Sequence, residues 1–79
     1  NQTKMKVKFM YHKEERDLYA YFPESIRAGI FGTMFECYGQ GQHSVCDKRY
    51  IEESREVDAE KYTPLLKELR GIYTDIQVI

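Results

Sequence analysis

The sequence predicts a single α+β domain with a small, mainly antiparallel sheet of about four strands, in the order β-β-β-short α-α-β. One main helix near residues 58–70 is predicted to cover this sheet. Segments 5–11 and 18–22 alternate with the period of two that is typical of half-buried strands. Apolar residues near the C-terminus recur at spacings of three and four, as on an amphipathic helix. A chain of 79 residues is the length of one domain.

The first two predicted strands pair as an antiparallel hairpin, because only the short charged segment 12–16 separates them. Pro23 is predicted to end the second strand. Both strands alternate, so the hairpin has one apolar face and one outer face. The apolar face is predicted to carry Val7, Phe9, Tyr11, Leu18, Ala20 and Phe22, and the outer face Lys6, Lys8, Tyr19 and Tyr21.

Segment 23–32 is predicted to be a loop that leads into a third strand over residues 33–38. The loop carries three large apolar side chains, which we expect to pack against the sheet. In the strand, Glu36 marks one face as solvated, and this places Cys37 on the buried face. The apolar residues of the loop are Ile26, Ile30 and Phe31.

Two helices are predicted in the second half of the chain. Asp47 is a typical N-cap for a short helix of one or two turns, and an extended segment follows it. The main helix begins either at Asp58, with a kink at Pro64, or at Thr63, with Pro64 in its first turn. Gly71 suits a Schellman ending. The apolar stripe comprises Tyr62, Leu65, Leu66 and Leu69, and the last strand alternates at Thr74, Ile76 and Val78.

Net charge, cysteine count and the length of apolar runs limit the classes of function that we expect. The formal net charge of −1 gives no overall field toward nucleic acid or a membrane. Two cysteines are few for a small secreted domain, and no apolar run has the length of a signal or membrane segment. We therefore expect a cytoplasmic domain with reduced thiols, no cofactor and no membrane partner. The chain does not begin with Met, so we expect a processed or trimmed N-terminus. A full core leaves little room for a deep pocket, which favours a binding module over an enzyme.

The loop after the third strand concentrates the reactive side chains. It holds both cysteines, one of the two histidines and two glycines. Thiol and imidazole groups bind soft metals. Structural zinc sites usually use close ligand pairs, and here only one such pair exists. We therefore predict no metal and a structured loop with one buried and one partly exposed cysteine, and a zinc site is the alternative. The candidate ligands are Cys37, His43 and Cys46, with His12 or Asp47 as a fourth.

The same loop suggests two further chemistries. Cys46 and His43 stand three residues apart, so a helical segment would bring the thiol and the imidazole together as nucleophile and base. Nothing in the sequence identifies a substrate pocket, so we predict no catalytic residues. A disulfide between Cys37 and Cys46 is the second alternative, in an oxidising environment or as a regulatory bond.

Three stretches together resemble a group of short bacterial proteins found in gut bacteria and their mobile elements. These stretches are 21–24, the 37–46 loop and segment 58–69, and the resemblance extends from about Leu18 onward. The run Gly41-Gln42-His43-Ser44 is its most specific part. No activity is assigned to that group, so the resemblance implies an α+β fold and little about function.

The first functional prediction is a non-enzymatic accessory domain that binds a protein partner or itself, since Tyr is enriched at protein contacts. The alternative is a small nucleic-acid-binding domain, in which lysines meet phosphates and tyrosines stack on bases. A zinc-stabilised domain or a thiol enzyme at the 37–46 loop is the third class. The candidate binding residues are Lys6, Lys8, Tyr19, Tyr21, Tyr38, Gln42, His43 and Ser44.

Overall fold

The computed structural model describes residues 4–29 and 32–79. These residues form an α+β fold with a mainly antiparallel sheet and two helices, which confirms the predicted class. The predicted four strands and one main helix are approximate, because six strands are present in the described ranges. The elements are β1 (Met5–His12), β2 (Asp17–Gly29), β3 (Gly32–Gly39), β4 (Gln42–Asp47), α1 (Lys48–Glu52), β5 (Arg55–Glu56), α2 (Ala59–Arg70) and β6 (Ile76–Val78).

The sheet is built around β1 and an antiparallel meander. Strands β1 to β4 follow one another in space, and the strand order is β4-β3-β2-β1-β5. The β1–β2 hairpin is present as predicted, with Phe9 opposite Ala20. The other side of β1 is shared by two short strands. Its second half pairs with β5, and its first half pairs in parallel with β6, where Met5 lies opposite Ile76.

The prediction that β2 ends at Pro23 is wrong. The strand continues to Gly29, and its pairing with β3 is irregular on the way. Tyr21 lies opposite Cys37, whereas the next pair is Ile26 with Phe35. Residues 22–25 of β2 stand against a single residue of β3, and an interruption of the regular pairing is a position where a strand tolerates proline. Ile26 is 61% exposed, so its predicted packing against the sheet is wrong. The other two apolar residues of that segment lie outside the described residues: Ile30 and Phe31.

The segment predicted as a glycine loop is mostly a β-hairpin formed by β3 and β4. Its turn has two residues, Gln40 and Gly41, with φ of 52° and 77°. Gly39 and Gln42 flank the turn and lie opposite each other. Two successive residues with positive φ are typical of the type I′ turn, whose twist matches that of paired strands. The loop prediction was wrong because β4 begins with polar residues. It therefore lacks the alternation of apolar and polar residues that indicates a strand in a sequence.

The sheet buries side chains on both faces. Helix α2 covers one, here called the α2 face, and helix α1 covers part of the other, here called the α1 face. The buried core of the α2 face is Val7, Phe9, Ala20, Phe22, Tyr38, Leu65 and Leu69. The buried core of the α1 face is Met10, Tyr19, Cys37 and Ile51, with Tyr21, Phe35, Cys46 and Tyr50 packed against it.

The helix starts follow the sequence closely. The Asp47 side chain accepts a hydrogen bond from the Tyr50 backbone N–H at 2.7 Å, which confirms the predicted N-cap of α1. Helix α2 begins directly after Asp58, so the first of the two predicted starts is correct and Pro64 lies inside the helix. The Asp58 side chain makes no capping hydrogen bond.

The end of α2 differs from the prediction. Gly71 has a φ of −77° and not the positive value that a Schellman ending requires. The backbone N–H of Tyr73 donates to the Leu69 carbonyl at 2.8 Å and closes the last turn. Neither helix in the described part of the chain has the length and apolar character needed to cross a membrane.

Candidate functional site

A chain of hydrogen bonds lies beneath α1 on the α1 face. The Tyr19 hydroxyl, in a residue that is 2% exposed, donates to Ser54 Oγ at 2.6 Å. Ser54 in turn donates to the Tyr50 carbonyl, and the Tyr50 hydroxyl donates to Asp17 Oδ2 at 2.8 Å. Burial raises the pKa of Tyr19, and burial together with the Asp17 carboxylate raises the pKa of Tyr50. Both phenols therefore stay protonated and act as donors at neutral pH.

His12 belongs to this polar cluster. Its ring stacks on Tyr50 with centroids 4.2 Å apart. The backbone N–H of Glu15 donates to His12 Nδ1, and Nε2 lies 3.3 Å from Glu53 Oε1. Because Nδ1 accepts a hydrogen bond, the proton of the neutral ring is assigned to Nε2, which donates to Glu53. Both ring nitrogens thus have protein partners in the described structure.

The two thiols meet on the α1 face. Cys37 is 1% exposed, as the sequence predicted, while Cys46 on the neighbouring strand is half-buried. The thiol–thiol hydrogen bond and burial raise the pKa of Cys37, and the same hydrogen bond lowers the pKa of Cys46. In the neutral pair, Cys37 Sγ lies 3.5 Å from the Phe35 carbonyl. The pair lines a cavity of about 180 Å³ that Asp17 and Ser44 also line.

His43 lies on the opposite face of the sheet from the thiols. Its Nε2 is 2.7 Å from the Tyr73 hydroxyl oxygen, and its ring meets the edge of Tyr38. The helical premise for a thiol–imidazole pair was wrong, because β4 is a strand and residues 43 and 46 point to opposite faces. Cys37 and Cys46 are therefore brought together without His43. No cluster of three or more potential metal ligands exists among residues 4–29 and 32–79.

The predicted lysine and tyrosine surface is only partly assembled. Lys8 lies opposite Tyr21, whose ring meets Phe35 edge-on with centroids 5.6 Å apart. The placement of Tyr19 on an open outer face was wrong, because α1 covers it. Both lysines form ion pairs on the same surface: Lys6 with Glu24 at 3.5 Å and Lys8 with Glu56 at 3.7 Å. The open part of the α1 face therefore carries mixed charge.

The remaining binding candidates lie on both sides of the β3–β4 hairpin. Tyr38 is buried on the α2 face, and its hydroxyl donates to Glu68 at 3.0 Å. Gln42, His43 and Ser44 are exposed on β4. Sequence reasoning marked these three residues as loop side chains, whereas the structure places them in a strand. A two-residue turn ending in glycine was the signal that could have shown this.

Strand β4 forms an open edge of the sheet. No described strand pairs with its outer side, and Val45 is 48% exposed there. The residues that flank a two-residue turn form a hydrogen-bonded pair, so residues 42, 44 and 46 bond to β3. The backbone N–H and C=O groups of residues 43 and 45 consequently point outward, as does the N–H of Asp47, whereas the carbonyl of Asp47 accepts the first hydrogen bond of α1. Segment 42–46 contains no charged residue and no proline.

A depression of about 560 Å³ lies where β1, β5 and the start of α2 meet. The Arg55 guanidinium sits over the Tyr11 ring at 5.5 Å within it. Lys61 supplies a second positive charge, but Glu56 and Asp58 line the same depression. This balance of charge gives no preference for an anionic or a cationic ligand.

Comparison of the chain with protein-family models, curated proteins and solved structures found no match. Function is therefore inferred from the contacts of this chain alone.

Proposed function

We propose that this chain is a non-enzymatic protein-binding module that self-associates, with two copies pairing through their β4 strands. The observation that carries the proposal is the open edge of β4, which has six residues and lacks charge and proline over 42–46. Natural proteins usually protect an edge with lysine, proline, bulges or very short strands. The opposite edge follows that pattern, because it consists of β5 with two residues and β6 with three.

The backbone pattern and the exposed valine together favour one register for this pairing. The outward hydrogen-bonding groups are those of residues 43 and 45 and the N–H of Asp47, so antiparallel pairs form among these three residues. A twofold axis at Val45 places Val45 opposite its own copy and His43 opposite the second copy's Asp47. An axis at Ser44 places His43 opposite Val45. The Val45 register is the one we propose, because it brings together two copies of an exposed apolar side chain of this edge.

The first test is the oligomeric state of three proteins, measured by sedimentation velocity over a range of concentrations. Wild type is expected to sediment as a monomer at low concentration and as a dimer at high concentration. Val45→Lys is expected to stay monomeric, because it places two ammonium groups against each other at the twofold axis. Val45→Thr is the matched control, since it keeps the β-branched shape and adds no charge. A wild-type chain that stays monomeric at every concentration overturns the proposal.

Hydrogen exchange, measured on the same proteins over the same range of concentrations, locates the interface. The outward amides of His43 and Val45 are expected to exchange quickly in the monomer and to become protected as concentration rises. The Ser44 amide bonds to β3 in either state and serves as the internal control. A dimer in which His43 and Val45 stay unprotected would place the interface elsewhere.

Nucleic-acid binding receives less support from the same contacts. The neighbouring Lys8 and Tyr21 favour it, since a cation beside an aromatic ring suits a phosphate next to a base. However, Glu24 and Glu56 pair with the two lysines, and their carboxylates repel a phosphate backbone. Self-association at β4 requires none of these groups.

A further inference from the structure

We propose that Cys46 and Cys37 form a dithiol site for hydroperoxides, in which Cys46 is oxidised first and Cys37 then closes an intramolecular disulfide between β4 and β3. This site does not depend on self-association, because it lies on the α1 face and the dimer edge uses the outward backbone of β4.

The strand register places the two thiols as diagonal neighbours on one face. Cys37 lies opposite Ser44, and Cys46 lies opposite Phe35. Such diagonal residues have Cα atoms roughly 7–8 Å apart, just beyond the roughly 7 Å within which a disulfide closes without backbone movement. Both thiols line the same cavity of about 180 Å³. Closure therefore needs a shift of β4 of an ångström or so, which this strand can make in the monomer, where it is paired only with β3.

Exposure assigns the order of the two steps. Cys46 is half-buried and lines both the 180 Å³ cavity and an adjoining cavity of about 320 Å³ at the foot of α1. A small peroxide can reach it there. Cys37 is 1% exposed and packs against Met10, Tyr19 and Ile51, so it is reached through Cys46.

The chemistry balances without a metal or cofactor. The Cys46 thiolate attacks a peroxide oxygen, the O–O bond breaks, and the leaving oxygen takes a proton to give water or an alcohol. Cys46 is now a sulfenic acid. The Cys37 sulfur attacks the Cys46 sulfur, the S–O bond breaks, and the hydroxyl leaves as water with the Cys37 proton. The two thiols supply the two electrons that reduce the peroxide.

The electrostatic surroundings favour the neutral product. The Asp17 carboxylate lies near both thiols and disfavours two thiolates there. The described residues that line the cavity include no lysine or arginine to offset this charge. A disulfide carries no charge, so its formation removes the repulsion that a thiolate meets.

The experiment treats dilute folded chain with hydrogen peroxide and follows intact mass and free thiols without a reductant. The expected product is a monomer that has lost two hydrogens and both free thiols, formed faster than in the urea-unfolded chain. A product linked between chains overturns the proposal. So does stable addition of oxygen to Cys46 with Cys37 still free, or oxidation no faster than in urea.

Two variants separate the roles of the thiols. Cys37→Ala is expected to accumulate a sulfenic acid on Cys46 that dimedone traps, because the resolving thiol is missing. Cys46→Ser is expected to leave the buried Cys37 unmodified. Circular dichroism checks that each variant is folded, and Cys46→Ser decides the question if Cys37→Ala does not fold. Trapping of Cys37 in folded Cys46→Ser contradicts the assigned order.

Discussion

On the α2 face, leucines from a helix of twelve residues cover valine and phenylalanine side chains of β1 and β2. On the α1 face, a helix of five residues covers tyrosines, a thiol and a methionine, with a histidine stacked at one end. The first face is held mainly by apolar burial, which needs shape but no direction, and the hydrogen bonds Tyr38–Glu68 and His43–Tyr73 lie at its β3–β4 side. The second is held largely by directed contacts such as Tyr19 to Ser54 and Tyr50 to Asp17.

This difference indicates that the two faces of a small domain can contribute differently, one mainly to stability and the other to the positions of reactive groups. Apolar burial contributes roughly 25 cal/mol per Å² and supplies most of the stability of a small fold. Hydrogen-bonded contacts add less, on the order of 1 kcal/mol each, but they hold reactive groups in defined positions. The thiol pair accordingly lies on the α1 face. The α2 face is expected to carry most of the folding free energy.

The strongest test of this comparison removes one apolar side chain from each face. Leu69 is fully buried on the α2 face, and Leu69→Ala is expected to lower the free energy of unfolding by about 3–4 kcal/mol, measured in urea. Ile51 is the matched residue on the α1 face and lies under the shorter helix. Ile51→Ala is expected to cost about 2 kcal/mol. An equal or larger cost for Ile51→Ala would contradict the division between the faces.

The second test addresses the β3–β4 hairpin, which supplies Tyr38 to one face and Cys37 to the other. Gly41 has a φ of 77° and open space around it, so Gly41→Ala is expected to cost about 1–2 kcal/mol through backbone strain alone. Gly71 is the control for backbone conformation because its φ of −77° suits any L-residue. Its added Cβ would lie 3.3 Å from the Glu68 carbonyl oxygen, so Gly71→Ala is expected to cost less than Gly41→Ala but not to stabilise the fold. Urea unfolding compares the two variants. Similar costs would argue against strain at the turn.

The smallest expected effect concerns the hydrogen bonds of the α1 face. Tyr19→Phe removes the hydroxyl that donates to Ser54 and is expected to cost about 1 kcal/mol at neutral pH. Tyr19 should also contribute to alkaline unfolding. Burial raises its pKa, so the unfolded chain releases this proton first, and stability falls as pH rises above about 10.

Urea unfolding at several pH values measures this loss. The Phe variant is expected to lose stability less steeply than wild type above that pH. Part of the decline is expected to persist, because burial also raises the pKa of Tyr38 and Tyr50. If the free energy of unfolding falls equally steeply with pH in the two proteins, Tyr19 does not contribute to the loss of stability at high pH.

Local patterns correctly predicted the elements whose side chains repeat with a clear period. The β1–β2 hairpin, the Asp47 cap and the stripe through Leu65 and Leu69 are all present. Each depends on residues close in sequence, so neighbouring side chains suffice to specify it. Strand β4 was missed because its polar start, beginning at Gln42, has no apolar alternation, and it is held by pairing with β3.

The sequence by itself determined the α+β class, the burial of Cys37 and the concentration of thiols and imidazole near residues 37–46. Only the tertiary structure decided which of these groups meet. Strand pairing put Cys37 beside Cys46 and turned His43 to the other face. The docking of α1 buried Tyr19, which the two-residue period alone places on an outer face. A period assigns side chains to two faces, but contacts between distant segments decide what covers each face.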